Sequence, residues 1–137
     1  MRPPGGDRSA DEGSAVVDFV LMSVLLVVLL FAVLQVAVYF YARNVAAESA
    51  ADAARYAASA GVNPQAGVAR AETLLRKGLD DRDAAAIHCT AAPGRDARSG
   101  LPTTTVECTG HLRLFFTALR GPLPIDVRST VLRERAP

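Results

Sequence analysis

Tryptophan is absent, lysine occurs once, cysteine and histidine twice each, and no formal charge lies between Phe19 and Tyr41 of this 137-residue chain. Each shortage excludes something. A net charge of only +1, with eleven basic residues against eight acids scattered from Gly61 onward, argues against a nucleic-acid binder, which needs a strongly basic face. No glycine-rich phosphate loop, G-x-S-x-G elbow or helical H-E-x-x-H motif occurs, so an enzyme active site is not expected. His88 and Cys89 are strand neighbours pointing to opposite faces, and their spacing to Cys108 and His111 matches no zinc finger; no metal and no cofactor are expected. Asp80, Asp81 and Asp83 form an acidic turn without the glutamate that a calcium loop needs.

What the chain has is concentrated. Phe19–Tyr41 is 23 residues of apolar sequence, and about 20 such residues span the hydrocarbon of a bilayer as a helix. Neither proline nor glycine occurs from Ser14 to Ala60. The simplest reading is one helix over about 15–60, roughly 70 Å long at the standard rise. Its first half would be a membrane span. Its second half turns to alanine, the best helix former. There Ala46, Ala50, Ala53 and Ala57 make a smooth seam that lets a partner approach closely. Asp52 and Arg55 stand at a favourable i,i+3 distance on the other side. Ser23 and Gln35 could hydrogen-bond across helices or satisfy themselves on the backbone. Tyr39 and Tyr41 fit an aromatic belt where the helix leaves lipid.

Beyond the helix, Gly61-Val62-Asn63-Pro64 reads as a stop and restart. The second helix is predicted to run to about Leu79, with Val68, Ala71, Leu75 and Leu79 on one face. Three strands follow by alternation. Ile87 and Cys89 share a face in the first, Val106, Cys108, Leu112 and Leu114 in the second, and Ile125, Val127 and Val131 in the third. Pro93-Gly94 and Ser99-Gly100 are assigned to the loop between the first two strands, and Gly121-Pro122-Leu123-Pro124 to the loop between the last two. The expected fold class is α+β, a long N-terminal helix, a second short helix and a small three-stranded antiparallel sheet packed on the alanine seam. Cys89 and Cys108 fall in adjacent strands, where a disulfide would contribute roughly 3 kcal/mol; two buried thiols are the alternative.

The N-terminus carries the most specific pattern. An ordinary secretory signal has a basic start, a 7–15-residue apolar core and a nearby small-x-small site, and this chain fits poorly. Asp18 instead lies at the fifth position after Gly13 and is followed at once by Phe19 and the apolar run. Gly13-Ser14-Ala15-Val16-Val17-Asp18-Phe19 resembles the class III signal of type IV pilin-like proteins, and more narrowly the start of TadE-like proteins, the minor pilins or pseudopilins of the tight-adherence pilus system. Family members usually carry glutamate where this chain has Asp18, which keeps the charge on a shorter side chain. Tyr39-Phe40-Tyr41-Ala42-Arg43 and Ala53-Ala54-Arg55-Tyr56-Ala57-Ala58 are similar to the family's helix exit and its A-A-R-Y-A segment. The stretch from Ile125 to Glu134 is similar to its closing strand.

The resemblance implies a prepilin peptidase substrate cut between Gly13 and Ser14. It implies a leader over 1–13 on the cytoplasmic side, a transmembrane helix over 14–41, a helix extension over 42–60 and an extracytoplasmic head over 61–137. Asp18 and Phe19 would serve assembly, with the Asp18 carboxylate meeting the new Ser14 ammonium of its own chain or a neighbour. The implied partners are the bilayer, the peptidase, other pilins and pilus platform proteins, with neither nucleic acid nor a small-molecule substrate; the implied roles are adhesion or secretion. Each residue also has a plainer reading. Gly13 could simply break the leader from a helix capped by Ser14, and Asp18 could be an acid favoured by the helix dipole. Two rival functions remain in view. One is an unprocessed membrane-tethered binding module. The other is a membrane enzyme or metal protein built on His88, His111 and the acids.

Overall fold

The computed structural model describes residues 8–113 and 121–134, with side chains from residue 13 onward. The element order is α1 (Arg8–Ala58), α2 (Pro64–Gly78), α3 (Asp81–Ala85), β1 (Ile87–Arg95), β2 (Pro102–Leu112) and β3 (Leu123–Leu132). Two compact units divide the chain, Met1–Ala37 and Val38–Pro137. The α+β architecture with a long N-terminal helix and a three-stranded antiparallel sheet is the expected one.

In the first unit the helix starts earlier than expected. It is already formed at Arg8 and runs through Gly13 and Ser14, so neither residue interrupts or caps it. One glycine costs a helix interior only about 1 kcal/mol, too little to stop a long run of helix-compatible sequence. From Gly13 to Ala37 every side chain is exposed except Ser23 and Gln35, which are half-buried.

The second unit holds the core. Ala42, Ala46, Ala50, Ala53 and Ala54 of α1 join Ala71 and Leu75 of α2 and the sheet residues Ile87, Cys89, Val106, Cys108, Leu112, Ile125 and Val127 in one buried cluster. The alanine seam therefore has its partner within the chain. Small side chains bring backbone close to backbone, which replaces bulk with contact area. Gly61, at φ 76°, takes the left-handed conformation that follows a helix end. Asn63 then accepts the Gln65 N–H at 3.0 Å and Pro64 occupies the first turn of α2. Gly67 fits where α2 crosses α1, since a Cβ there would lie 2.7 Å from the Ala57 Cβ.

Strand order is β1-β2-β3, antiparallel throughout, with Cys89 opposite Cys108 and Cys108 opposite Val127. The Arg133 N–H donates to the Pro102 carbonyl at 2.8 Å. Counting back by alternation, Cys108 bonds its backbone to Val127 and stands opposite Cys89 in a non-hydrogen-bonded pair, the kind with the closer side chains. The expected disulfide is present, with Cα atoms 4.0 Å apart.

Three local expectations differ. Pro93 and Gly94 lie inside β1, paired with Thr104 and Thr103. The turn is confined to 96–101, where the Asp96 carboxylate accepts the Arg98 and Ser99 N–H groups and the Ser99 hydroxyl. Pro93 is tolerated because β1 is an edge strand. α2 ends at Gly78, and the acidic residues expected to form a turn open a short helix instead, since Asp80 caps α3 by accepting the Asp83 N–H at 2.8 Å. Asp52 reaches across to Arg70 on α2 at 2.8 Å in place of Arg55 on its own helix. Leu114, assigned to the core face of β2, lies outside the described residues.

Candidate functional site

Gly13, Ser14, Asp18 and Phe19 all sit exposed on α1, and among the described residues nothing comes within 4 Å of a Cβ built on Gly13. Ser14 and Asp18 are four residues apart in one helix, hence on one face a turn apart. Among the described residues no ion pair involves Asp18. A carboxylate left without a partner beside apolar surface is costly in lipid, on the order of 2.5–3.5 kcal/mol at mid-bilayer and less toward the interface. Asp18 is thus the one acid within residues 13–41, at the start of the apolar run.

The run itself is unburied. Val16, Phe19, Met22, Leu26, Leu30 and Val33 all stay exposed, and the stretch is long and apolar enough to cross a membrane as a single-pass anchor. Ser23 donates its hydroxyl to the Phe19 carbonyl at 2.7 Å and is satisfied within its own helix. Gln35 is different. Its amide nitrogen is buried with no hydrogen-bond partner among the described residues, leaving a donor within the apolar stretch.

Where the apolar run ends, the tyrosines do something the sequence did not disclose. The Tyr39 hydroxyl donates to the Pro124 carbonyl at 3.2 Å, and the Tyr41 hydroxyl donates to the Gly78 carbonyl at 3.0 Å. The two tyrosines expected to form an aromatic belt act as a pair of tethers within the chain, one to the start of β3 and one to the end of α2. No sequence signal marks a tyrosine for a carbonyl 37 or 85 positions away. Beside Tyr41, α1 and α2 enclose a groove of about 400 Å³ lined by Val45, Glu48, Ser49, Asp52, Arg70, Leu74, Lys77 and Gly78. Hydrogen bonding and charge from Asp52 push the Arg70 guanidinium further above its ordinary value.

His88 and His111 are exposed, Cys89 and Cys108 are consumed in the disulfide, and no group of three potential metal ligands occurs among the described residues. The structure thus brings together Cys89 and Cys108, and keeps Ser14 and Asp18 a turn apart on one unobstructed surface.

Comparison with known families bears on that surface. Residues 13–55 match the family described as TadE-like protein. This segment is TadE-like. The match opens on Gly13, takes in Asp18 and the whole apolar run, and closes on Arg55, just short of the Tyr56-Ala57-Ala58 end of the A-A-R-Y-A stretch. The closing strand lies beyond it. No curated protein and no solved structure matches the chain. A TadE-like segment on an exposed apolar helix fits a membrane protein associated with a tight-adherence pilus.

Proposed function

We propose that the protein is a structural minor pilin or pseudopilin of a tight-adherence pilus or secretion system, not an enzyme. It is held in the membrane by α1 and assembled through that helix, with the leader on the cytoplasmic side and the disulfide-stapled head outside. A prepilin peptidase releases the leader between Gly13 and Ser14, and the new ammonium meets Asp18 of the same or a neighbouring subunit. That contact offsets the desolvation of the carboxylate and sets the register in which subunits add, with Phe19 packing alongside. Pilins, platform proteins and the bilayer are the partners, and adhesion or secretion is the outcome.

The single observation carrying this reading is Asp18, exposed and without an ion pair among the described residues, at the fifth position after Gly13 inside the TadE-like segment. A second reading, an unprocessed anchor for a binding head, draws on the helix running from Arg8 through Gly13, because a peptidase must unwind the bond it cuts. Mass spectrometry of the membrane-extracted chain separates the two. A mature form starting at Ser14 supports the pilin, and an intact leader supports the anchor. In the parent's host, Gly13→Leu should stop maturation without stopping membrane insertion, and normal processing of that variant would refute the cleavage site.

A further inference from the structure

The groove between α1 and α2 has walls of opposite charge. Glu48 and Asp52 come from α1, Arg70 and Lys77 from α2, over a floor of Val45, Leu74 and Gly78. At one end Asp52 and Arg70 neutralise each other at 2.8 Å. Glu48 and Lys77 are exposed and form no ion pair among the described residues. A carboxylate and an ammonium therefore remain open in one groove.

Its position relative to lipid follows from contacts within the second unit. The Tyr41 hydroxyl, on the last residue of the apolar run, donates to the Gly78 carbonyl at 3.0 Å, and a Cβ on Gly78 would lie 2.5 Å from a Val45 methyl. Arg70 pairs with Asp52, so α2 runs antiparallel to α1, back toward the end of the apolar run. Lys77 is then level with Val45, about one helical turn beyond Tyr41. Glu48 stands about 4.5 Å further out along the axis. That depth is the polar headgroup layer flanking the hydrocarbon.

We infer that this groove takes the phosphoethanolamine head of a membrane lipid, phosphate at Lys77 and ammonium at Glu48. In such a head the phosphate is nearer the acyl chains and the ammonium outermost, the order in which Lys77 and Glu48 are met. A primary ammonium carries three N–H donors for a carboxylate, whereas a choline head has none. An anionic head without an amine would satisfy Lys77 and leave Glu48 facing it. Asp80 and Asp81, three and four residues after Lys77, also oppose a purely anionic ligand. The inference rests on residues 19–41 being a membrane span.

The full chain, reconstituted in nanodiscs of phosphatidylcholine alone or with added phosphatidylethanolamine or phosphatidylglycerol, provides the test. Amide exchange over 74–79, the last turn of α2, should slow about threefold in the ethanolamine discs, as occupancy at twice the dissociation constant gives. Glu48→Gln and Lys77→Gln, both at exposed positions, should each abolish the slowing while leaving the thermal midpoint unchanged. Equal exchange in all three discs, or equal slowing by phosphatidylglycerol, overturns the inference while the anchor stands. Failure of the chain to co-elute with any disc overturns the anchor, and the lipid site with it.

Discussion

Gly67→Ala is the sharpest trial of how the head is packed. In an ordinary helix interior the change stabilises by about 1 kcal/mol, because alanine loses less backbone freedom. Here the new methyl would stand 2.7 Å from the Ala57 Cβ and 3.0 Å from the Ala53 carbonyl oxygen, well inside the roughly 3.5–4.0 Å at which carbon atoms rest. Neither neighbour can rotate away, since one is a Cβ and the other is backbone. The helices must separate by about 1 Å, and overpacking of this kind costs typically 1–3 kcal/mol. The shift would also stretch the Asp52–Arg70 pair, but both side chains are exposed and solvent screening makes that a minor loss. Against the propensity gain, the net expectation is a loss of about 1–2 kcal/mol, or a fall of roughly 5–10 °C in Tm for a head of this size. Thermal unfolding followed by far-UV circular dichroism in detergent reads it, with exposed Ala69→Gly on the same helix calibrating propensity alone. A Gly67→Ala chain as stable as the parent, or more so, would show that α2 does not approach α1 this closely.

Three further outcomes are expected. Replacing Cys89 and Cys108 together by alanine opens a loop with a sequence separation of 19 and should cost about 3 kcal/mol in denaturant titration; a loss under about 1 kcal/mol would mean that the β1–β2 register holds without the staple. Tyr41→Phe removes one hydrogen bond, worth about 1 kcal/mol, and should speed amide exchange at 76–79 while leaving β2 unchanged; uniform acceleration would contradict a local tether. The Ser99 N–H, then its hydroxyl, and then the Arg98 N–H hold the Asp96 carboxyl below its ordinary value. Its contribution is therefore complete above the unfolded carboxylate range, about pH 4, and is lost as pH falls through the lower folded value. The Tm gap between the parent and Asp96→Ala should narrow on acidification below that range, and a gap that widens would refute the turn.

The sequence disclosed those parts of the head whose physics is local or periodic. Alanine at 46, 50, 53 and 57 announced a close-packed face, and all four are fully buried. Alternation located Ile87, Cys89, Val106, Cys108, Ile125 and Val127, all of which face the core. Asn63-Pro64 marked the start of α2 to the residue. Errors arose where a local rule met a tertiary one. Pro-Gly at 93–94 is a turn signal, yet Asp96 gathers three donors and places the turn beyond it. Asp52 and Arg55 have helical pairing distance, but Arg70 is brought within 2.8 Å by α2, and a partner from another element is outside any i,i+3 count. The tyrosine tethers and the α1–α2 groove were illegible for the same reason.

The TadE-like match covers residues 13–55, and in its first 25 positions every side chain but Ser23 and Gln35 is exposed. A core keeps its residues because they touch one another. The stretch from Gly13 to Ala37 has no such reason, since its apolar side chains face outward and its one acid lacks an ion pair among the described residues. Its pattern of glycine, acid and long apolar run must answer to something outside the folded chain. Lipid alone accounts for the apolar length but not for the acid, which lipid penalises. On the proposed function a partner carrying positive charge at that depth offsets the cost, and a Ser14 amine exposed by cleavage would lie one turn away on the same face.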